Sequence, residues 1–319
     1  MRRGSRILMV VVAMSLAGGG AVAAAQSGGG DDHGGGGGGG ERLFTLAPDP
    51  AGNPEGIATR GRTFFVSITA DGAIYRGSLA RDTVKPFIPG AQGKAAVGIK
   101  VRAGKLYVAG GPTGTITVYD LATRQPVATF ETGTGGFLND LVVTRTGDVY
   151  VTDSFRPMLW HVTAAQVAAG GGTPQALDVS SGIPFQDGFN LNGIVARNAT
   201  SLIVVQTNTG KLFRVDLAAD GSAITGITEV QGVTVAGGDG LLRDSGRLVV
   251  VQGGPPAQLT LVRLKGGARR GQIRGAITSD KLNGPSTVAR ARDLYLVVNA
   301  DFATSTKPFT VAGLPRRGG

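Results

Sequence analysis

The sequence predicts an all-β fold, a six-bladed β-propeller, from a motif that occurs six times and from the interval between its copies. Each copy starts with a small or polar residue, enters an aliphatic strand, turns through Gly, Arg or Asp, and returns as an apolar strand. The clearest copy is NDLVVTRTGDVYVTDS, residues 139–154. Short strands repeated every forty to fifty residues are typical of propellers, in which each repeat is one four-stranded blade. Helical repeats of this length would need 3.6-residue apolar periodicity, which is not found.

The register of the copies is fixed by the residue that begins the first strand of each one. This residue recurs at intervals of 42, 42, 53, 47 and 46 residues. The members of this start column are Glu55, Val97, Asn139, Asn192, Asp239 and Pro285. Six members predict six blades.

The two ends of the globular part complement each other. Residues 42–47 alternate like a strand ahead of the first copy, whereas the sixth copy lacks a fourth strand and ends with residues 308–314. Pairing these two segments would supply the missing strand and cover edges that otherwise invite aggregation. We therefore expect the N-terminal strand to complete the last blade and close the ring.

The longest interval falls in the third copy and is partly explained by an insertion. Residues 163–172, TAAQVAAGGG, suit one helical turn that ends at Gly170. Clean alternation in the segments between the copies, for example at residues 114–121 and 210–217, predicts third strands.

The first 40 residues are predicted to lie outside the propeller. Three arginines, an apolar run at residues 7–16 and three alanines at 23–25 have the order of a secretory signal peptide, residues 1–25. An uncleaved membrane anchor is the alternative, but glycine and alanine make the run weak as a spanning helix. We predict that residues 26–40 are a glycine-rich flexible linker, that residues 41–314 form the propeller and that residues 315–319 are a tail. A secreted or extracytoplasmic location follows.

The composition excludes several kinds of site. The chain has no cysteine and two histidines, so neither a disulfide framework nor a thiolate or histidine zinc site is expected. His33 lies in the linker, and His161 in a predicted third strand, where a structural role is expected. The net charge of +10 is interpreted as an aid to solubility, because one basic cluster stands out and it has no interleaved aromatics. That cluster comprises Arg263, Lys265, Arg269, Arg270 and Arg274.

The start column supplies the candidate site. The first strand of a propeller blade lies nearest the axis, so the column should surround the mouth of the central channel. Four of its members carry side-chain oxygens: Glu55, Asn139, Asn192 and Asp239. Two carboxylates and two amides suit a hard divalent cation, calcium above zinc. Asn or Asp before Gly is also a common turn signal, but four matches in one column favour a metal site.

These residues lie in motifs that resemble a known family. PEGIA at 54–58, ND at 139–140, NGI at 192–194 and DGL at 239–241 are similar to motifs of the calcium-binding, six-bladed SMP-30/gluconolactonase/luciferin-regenerating-enzyme family. The resemblance extends over residues 41–314 in repeat pattern. It implies that Glu55, Asn139, Asn192 and Asp239 surround a divalent metal and that Asp239 is the general base in lactone hydrolysis. Leu141 stands where lactonases of the family usually have Gly, so the resemblance does not name the substrate.

Two functions from different classes are consistent with these observations. The first is an exported, metal-dependent hydrolase of a lactone or related ester, with a small-molecule substrate and Asp239 as its catalytic residue. The alternative is a non-catalytic propeller that binds a ligand or protein at its mouth, with a purely structural ion. An enzyme should have a deep pocket and a carboxylate with a perturbed pKa, whereas a scaffold should have a filled channel. In either case we expect a monomer that binds no nucleic acid and has no stable membrane insertion after signal cleavage.

Overall fold

The computed structural model describes residues 40–316. The predicted signal peptide, nearly all of the predicted linker and residues 317–319 lie outside the described residues, so those assignments stay predictions. No helix within residues 40–316 has the length and apolar character needed to cross a membrane.

The described chain is built almost entirely of strands, which fall into the six copies expected from the sequence. Strand β1 (Arg42–Leu46) precedes the first copy. The first copy comprises β2 (Pro54–Arg60), β3 (Thr63–Ile68), β4 (Ile74–Ser78) and β5 (Arg81–Ile88). The second comprises β6 (Ile99–Arg102), β7 (Lys105–Ala109), β8 (Thr115–Asp120) and β9 (Pro126–Glu131). The third comprises β10 (Leu138–Val143), β11 (Val149–Asp153), β12 (Met158–Val162), helix α1 (Ala164–Ala169) and β13 (Gln175–Asp178). The fourth copy comprises β14 (Leu191–Asn198), β15 (Ser201–Gln206), β16 (Lys211–Leu217) and β17 (Ile224–Glu229). The fifth comprises β18 (Gly238–Asp244), β19 (Arg247–Gln252), β20 (Gln258–Lys265) and β21 (Arg270–Ile277). The sixth comprises β22 (Pro285–Ala291), β23 (Leu294–Asn299) and β24 (Thr310–Pro315).

The sheets give a propeller-like arrangement. Copies two to five each form a separate four-stranded sheet with its strands in chain order. The first and sixth copies share an eight-stranded sheet in the order β2-β3-β4-β5-β1-β24-β23-β22. Within it β1 pairs antiparallel with β24, from Arg42 opposite Gly313 to Thr45 opposite Thr310. This confirms the predicted pairing of residues 42–47 with 308–314.

The first strands of the six copies form the inner wall of the fold. They contact one another in circular order: β2, β6, β10, β14, β18, β22 and β2 again. All six start at one face, called the mouth face here, and end at the opposite one, the turn face. Since strands within a copy alternate in direction, the loops between second and third strands return to the mouth face. The turns that join first to second and third to fourth strands lie on the turn face.

The core lies between neighbouring sheets rather than at one centre. Six buried apolar clusters occupy the described chain, and each combines residues of two neighbouring copies. Between the second and third copies, for example, Phe130 packs in one cluster with Leu141 and Val149. Burial of these side chains, at roughly 25 cal/mol per Å² of apolar surface, holds adjacent sheets together.

The insertion in the third copy contains the expected helical turn. Helix α1 begins with a capping box, in which the side chain of Thr163 accepts from Gln166 N and the side chain of Gln166 accepts from Thr163 N. It ends at Gly170, whose φ of 83° is left-handed and therefore favours glycine. The predicted helical turn and its end are confirmed.

A buried carboxylate joins the fifth and sixth copies on the turn face. Asp244 accepts hydrogen bonds from the Tyr295 hydroxyl at 2.8 Å and from Arg316 Nε at 2.7 Å, and it pairs with Arg290 Nη1 at 3.0 Å. Burial alone would raise the pKa of Asp244, but the bonds from Tyr295 and Arg316 outweigh it and lower that pKa. A buried charge is tolerated only with such partners, so this cluster fixes the C-terminal end of the sheet.

The position of β1 predicts the effect of removing it. A chain that begins at Pro54 lacks the fully buried side chains of Phe44 and Leu46 and exposes the edge of β24. Loss of two such side chains costs several kcal/mol, a large part of a typical domain's stability. We expect thermal unfolding, followed by circular dichroism, to lose its cooperative transition, whereas a chain that begins at Gly40 should keep it. Equal melting of the two chains would show that β1 does not close the fold.

Candidate metal centre

The start column coincides with a β-bulge in five of the six first-strand pairs. The pairing register shifts between Pro54 and Ile57, Leu138 and Leu141, Leu191 and Ile194, Gly238 and Leu241, and Pro285 and Val288. In the second copy, Val97 and Gly98 directly precede β6. A bulge adds a residue to one strand and re-aims its side chains. The shared bulge explains how one column of the sequence becomes one ring of side chains at the mouth face.

The register of the sixth copy differs from the predicted one by one residue. Pro285 pairs with Asn299 as Pro54 pairs with Ile68, so Pro285 is the equivalent of Pro54. The equivalent of Glu55 is therefore Ser286, whereas the sequence alignment placed Pro285 in the start column. In most copies the bulge is marked by a polar residue followed by glycine, as in Glu55-Gly56. The sixth copy has Ser286-Thr287 at that place, so the signal is missing and the register was misplaced.

Close contacts join the column members of neighbouring copies into a ring. Three hydroxyl groups and one amide of neighbouring copies donate to column carbonyls: Ser67 Oγ to Val97 O at 2.5 Å, Gly98 N to Asn139 O at 2.7 Å, Thr152 Oγ1 to Asn192 O at 2.7 Å and Ser286 Oγ to Glu55 O at 2.7 Å. Gly193 lies so close to Asp239 O that a Cβ atom would not fit. The same crowding applies to Gly56 against Val97 O. The four predicted ligand residues therefore occupy positions of one closed ring.

Each of the four predicted ligands has a buried oxygen with no hydrogen-bond donor from the protein. These atoms are Glu55 Oε2, Asn139 Oδ1, Asn192 Oδ1 and Asp239 Oδ1. Other atoms of the same side chains are partnered: Thr287 Oγ1 donates to Glu55 Oε1 at 3.3 Å, and Asn139 Nδ2 donates to Ser154 Oγ at 3.0 Å. A buried acceptor without a donor costs about 1–3 kcal/mol, so four in one ring require a compensating group. Two carboxylate and two amide oxygens fit a divalent cation of the calcium type.

The electrostatics of the ring favour bound positive charge. Burial raises the pKa of Glu55 well above its ordinary value, and the negative charges of Asp239 and Asp140 raise it further. Burial likewise raises the pKa of Asp239 to about 8, with Asp140 adding to the shift and a hydrogen bond from Asn192 opposing it. Without a cation, these carboxylates retain protons that exposed carboxylates would lose. This shift does not separate an enzyme from a scaffold, because burial raises the pKa of a carboxylate that holds a structural ion in the same way.

Asp140 is a further acidic residue of this site, and sequence analysis did not single it out. It is 2% exposed and occupies the position that Gly56, Gly193 and Gly240 hold in other copies. Its Oδ1 forms an ion pair with Lys100 Nζ at 2.6 Å. The sequence did carry a signal, because an aspartate interrupts a column of glycines.

Other sequence candidates lie apart from the ring. His161 lies in the third strand β12, as predicted, where it is 2% exposed and stacks on Tyr150 with ring centroids 4.5 Å apart. In residues 40–316, no group of three or more His, Cys, Asp or Glu side chains is placed to hold a metal. The candidate ring differs from such a group because half of its donors are amides.

Three phenylalanines form an apolar wall at the mouth face beside Asn139 and Asn192. Their ring centroids lie 5.6 Å apart for Phe137 and Phe155, 5.1 Å for Phe137 and Phe189, and 4.9 Å for Phe155 and Phe189. The backbone of Ser154 brings the three segments together, since its N donates to Phe137 O and its O accepts from Asn190 N. Phe155 is 48% exposed, so the wall faces solvent at the mouth. The wall could not be predicted from the sequence, because the phenylalanines come from different loops.

The raised pKa of Asp239 predicts how the stability of calcium-free protein depends on pH. The unfolded chain releases this proton near pH 4, whereas the folded ring holds it up to about pH 8. The stabilising contribution is therefore complete below about pH 4, declines as the pH rises, and is lost above about pH 8. We expect the melting temperature of EDTA-treated protein to fall over that window and to fall less in Asp239→Asn. The matched control is Asp187→Asn on an exposed loop; equal pH profiles for both variants would contradict the assignment.

Comparison with known proteins supports the fold. No family model matches the sequence, and no curated protein matches it. The structure is similar to a solved structure of luciferin-regenerating enzyme, with a TM-score of 0.62 and 12% identity over 86% of this chain and 95% of that chain. Because 1408 solved chains match, the fold alone does not fix an activity. The predicted resemblance is confirmed at the level of fold: the chain has the β-propeller fold of luciferin-regenerating enzyme.

Proposed function

We propose that this protein is a six-bladed propeller that binds calcium at Glu55, Asn139, Asn192 and Asp239 and hydrolyses a lactone or related ester at the mouth. The observation that carries the proposal is the set of four buried oxygens, one per predicted ligand, that lack a donor and lie in one ring. Export through the predicted signal peptide is part of the proposal.

The blade count follows from treating the eight-stranded sheet as two blades. Strands β1 and β5 meet in parallel at two positions, Thr45 with Thr83 and Leu46 with Val84, whereas all other strand pairs are antiparallel. Separating the sheet there leaves β1 as the fourth strand of the sixth blade. The six buried clusters between neighbouring copies support the same count.

Asp239 is the residue suited to move a proton. A bound divalent cation would supply charge that polarises a substrate carbonyl and offsets the carboxylates. The Asp239 carboxylate can accept a proton from a water molecule that attacks the carbonyl carbon, which the amides of Asn139 and Asn192 cannot do. The ester C–O bond then breaks, and the proton passes to the leaving alkoxide oxygen. A bound cation would lower the pKa of Asp239 from its raised value in the cation-free ring, so the carboxylate would be ionised and able to accept this proton.

The phenylalanine wall indicates the kind of substrate. Phe137, Phe155 and Phe189 offer apolar surface beside two of the proposed ligands. Aromatic side chains of this kind bind apolar or aromatic groups by burial and edge-to-face packing. We therefore propose a lactone or ester with an apolar substituent rather than a sugar lactone.

Calcium binding predicts a change in stability that needs no substrate. A ligand that binds only the folded state raises the melting temperature by mass action, and removal of that ligand lowers it. We expect calcium to stabilise EDTA-treated protein and Asn139→Ala or Asn192→Ala to weaken this stabilisation. Asn198→Ala removes an exposed amide, whose oxygen accepts from Thr200 N, on the opposite face and is the matched control. If calcium shifts no melting curve, the four residues are turn and bulge residues only.

The catalytic role of Asp239 predicts the behaviour of Asp239→Asn. This change keeps the shape and an oxygen donor but removes the base, so kcat should fall by orders of magnitude while calcium affinity, measured by calorimetry, falls much less. The measurement needs a substrate, which a panel of aliphatic and aromatic lactones and esters should provide. Full activity of Asp239→Asn would refute the mechanism. If calcium-loaded wild type binds calcium but turns over no lactone or ester, the non-catalytic binding function replaces the hydrolase.

A further inference from the structure

Every copy of the repeat carries an arginine where its first strand ends. The six are Arg60, Arg102, Arg145, Arg197, Arg243 and Arg290. Because all first strands run from the mouth face to the turn face around one axis, their ends lie around that axis on the turn face. The fold therefore converts a column of the sequence into a ring of arginines opposite the candidate metal centre.

Charge is divided between the two faces. The ends of the first strands, the turns that follow them and the starts of the second strands together contain ten basic residues and three acidic ones, and one of the acids is the buried, paired Asp244. At the mouth face, the four residues around each first-strand start include Glu55, Asp140 and Asp239 but no Lys or Arg. The sequence-based interpretation of the net charge as a general aid to solubility is therefore incomplete, since the positive charge is concentrated on one face.

Contacts within the protein explain only some of the six arginines of the ring. Arg102 Nη2 donates to Arg145 O at 2.6 Å, and Arg243 Nη1 donates to Ala196 O at 3.0 Å, so both bridge neighbouring copies. Arg60 and Arg145 are exposed, and within the described part of the chain their guanidinium groups make no hydrogen bond or ion pair. No contact within the described chain therefore explains why these two positions carry arginine.

A basic cavity opens on the same face between the fourth and fifth copies. Its volume is about 170 Å³, which is enough for a phosphate group, and no acidic side chain lines it. The charged residues of its wall are Arg197, Arg243, Arg247 and Lys265. Arginine and lysine side chains in the wall of one cavity suit the oxygens of a phosphate group.

Both described ends of the chain lie at the turn face. Strand β1 runs from the turn face to the mouth face, and Arg42 at its start donates to Leu79 O at 2.6 Å in the turn between β4 and β5. Arg316, after the last strand, lies on Asp244. The segment before Arg42 thus joins the propeller at its basic face.

We propose that the turn face docks on a membrane surface rich in anionic lipid, with a headgroup phosphate in the basic cavity. Basic residues near such a surface each add to binding. A nucleic acid is disfavoured as the partner, because single strands bind by stacking their bases on exposed aromatic side chains. Within residues 40–316 the exposed phenylalanines are Phe155 and Phe302, which follow second strands and therefore lie at the mouth face, not at the basic face. Docking in this orientation leaves the mouth open to solvent. The proposal does not depend on hydrolase activity.

The test is co-sedimentation of the exported chain, residues 26–319, with vesicles of phosphatidylcholine alone or mixed with phosphatidylglycerol, at low and high salt. One variant, Arg60→Gln with Arg145→Gln, removes two exposed ring charges. A second, Arg197→Gln with Lys265→Gln, removes two charges of the cavity. The control, Lys94→Gln with Lys307→Gln, removes the same charge from the mouth-face side of the molecule. All variants retain the predicted linker, residues 26–40, so differences between them report the folded surface.

We expect wild type and control to bind only the anionic vesicles and to be released by salt. Each turn-face variant should bind about 10- to 30-fold more weakly, at an unchanged melting temperature. No binding to anionic vesicles, or equal binding by all variants, would overturn the proposal. Tighter binding of wild type to duplex DNA than to the vesicles, lost in the same variants, would make nucleic acid the partner and would also overturn it.

Discussion

The fold depends on the close approach of six first strands around one axis. At the start of each strand, backbone carbonyls of neighbouring copies come within hydrogen-bond distance of hydroxyl or amide donors, as Ser67 does for Val97 O and Ser286 does for Glu55 O. This approach leaves no space for a Cβ atom at Gly56 or Gly193. The glycines and hydroxyls are thus required by packing, and the residue just before each glycine is turned toward its counterparts. A site with several ligands can arise there because one backbone constraint is repeated.

That constraint creates an energetic conflict. Glu55, Asp140 and Asp239 come close together in a buried place with one lysine, Lys100, paired to Asp140. Isolated carboxylates in such a place retain protons or need a cation, because desolvation and mutual repulsion both oppose their ionised forms. The stability that offsets this conflict comes from elsewhere, from the apolar clusters between sheets and from the pairing of β1 with β24. If the ring binds a cation as proposed, metal binding and folding stability are therefore coupled.

The sequence predicted most of what repeats and missed what departs from the repeat. The strand pattern, the pairing of the chain ends and the turn at Gly170 depend on periodicity and local turn chemistry, which are visible in one dimension. The register of Pro285 was misplaced because SerThr replaces the residue–Gly signal there. Asp140 and the phenylalanine wall depend on which loops meet in space, and Phe137 and Phe189 are far apart in the chain. The ligand roles of Glu55, Asn139, Asn192 and Asp239 stay a prediction, made sharper by their unpartnered oxygens.

The direction of the first strands explains why the two faces differ in chemistry. Five of the six first strands have a polar or acidic residue at their start, and each has an arginine at or near its end, as in the third copy from Asn139 to Arg145. The charge separation along a single strand of this kind is small, but six such strands around one axis add their charges on each face. The mouth face thereby gains oxygen donors and negative charge, and the turn face gains guanidinium groups. Opposite charges on opposite faces orient a molecule in the field of a charged surface before any specific contact forms. Orientation and the site at the mouth thus have a common origin in the repeat.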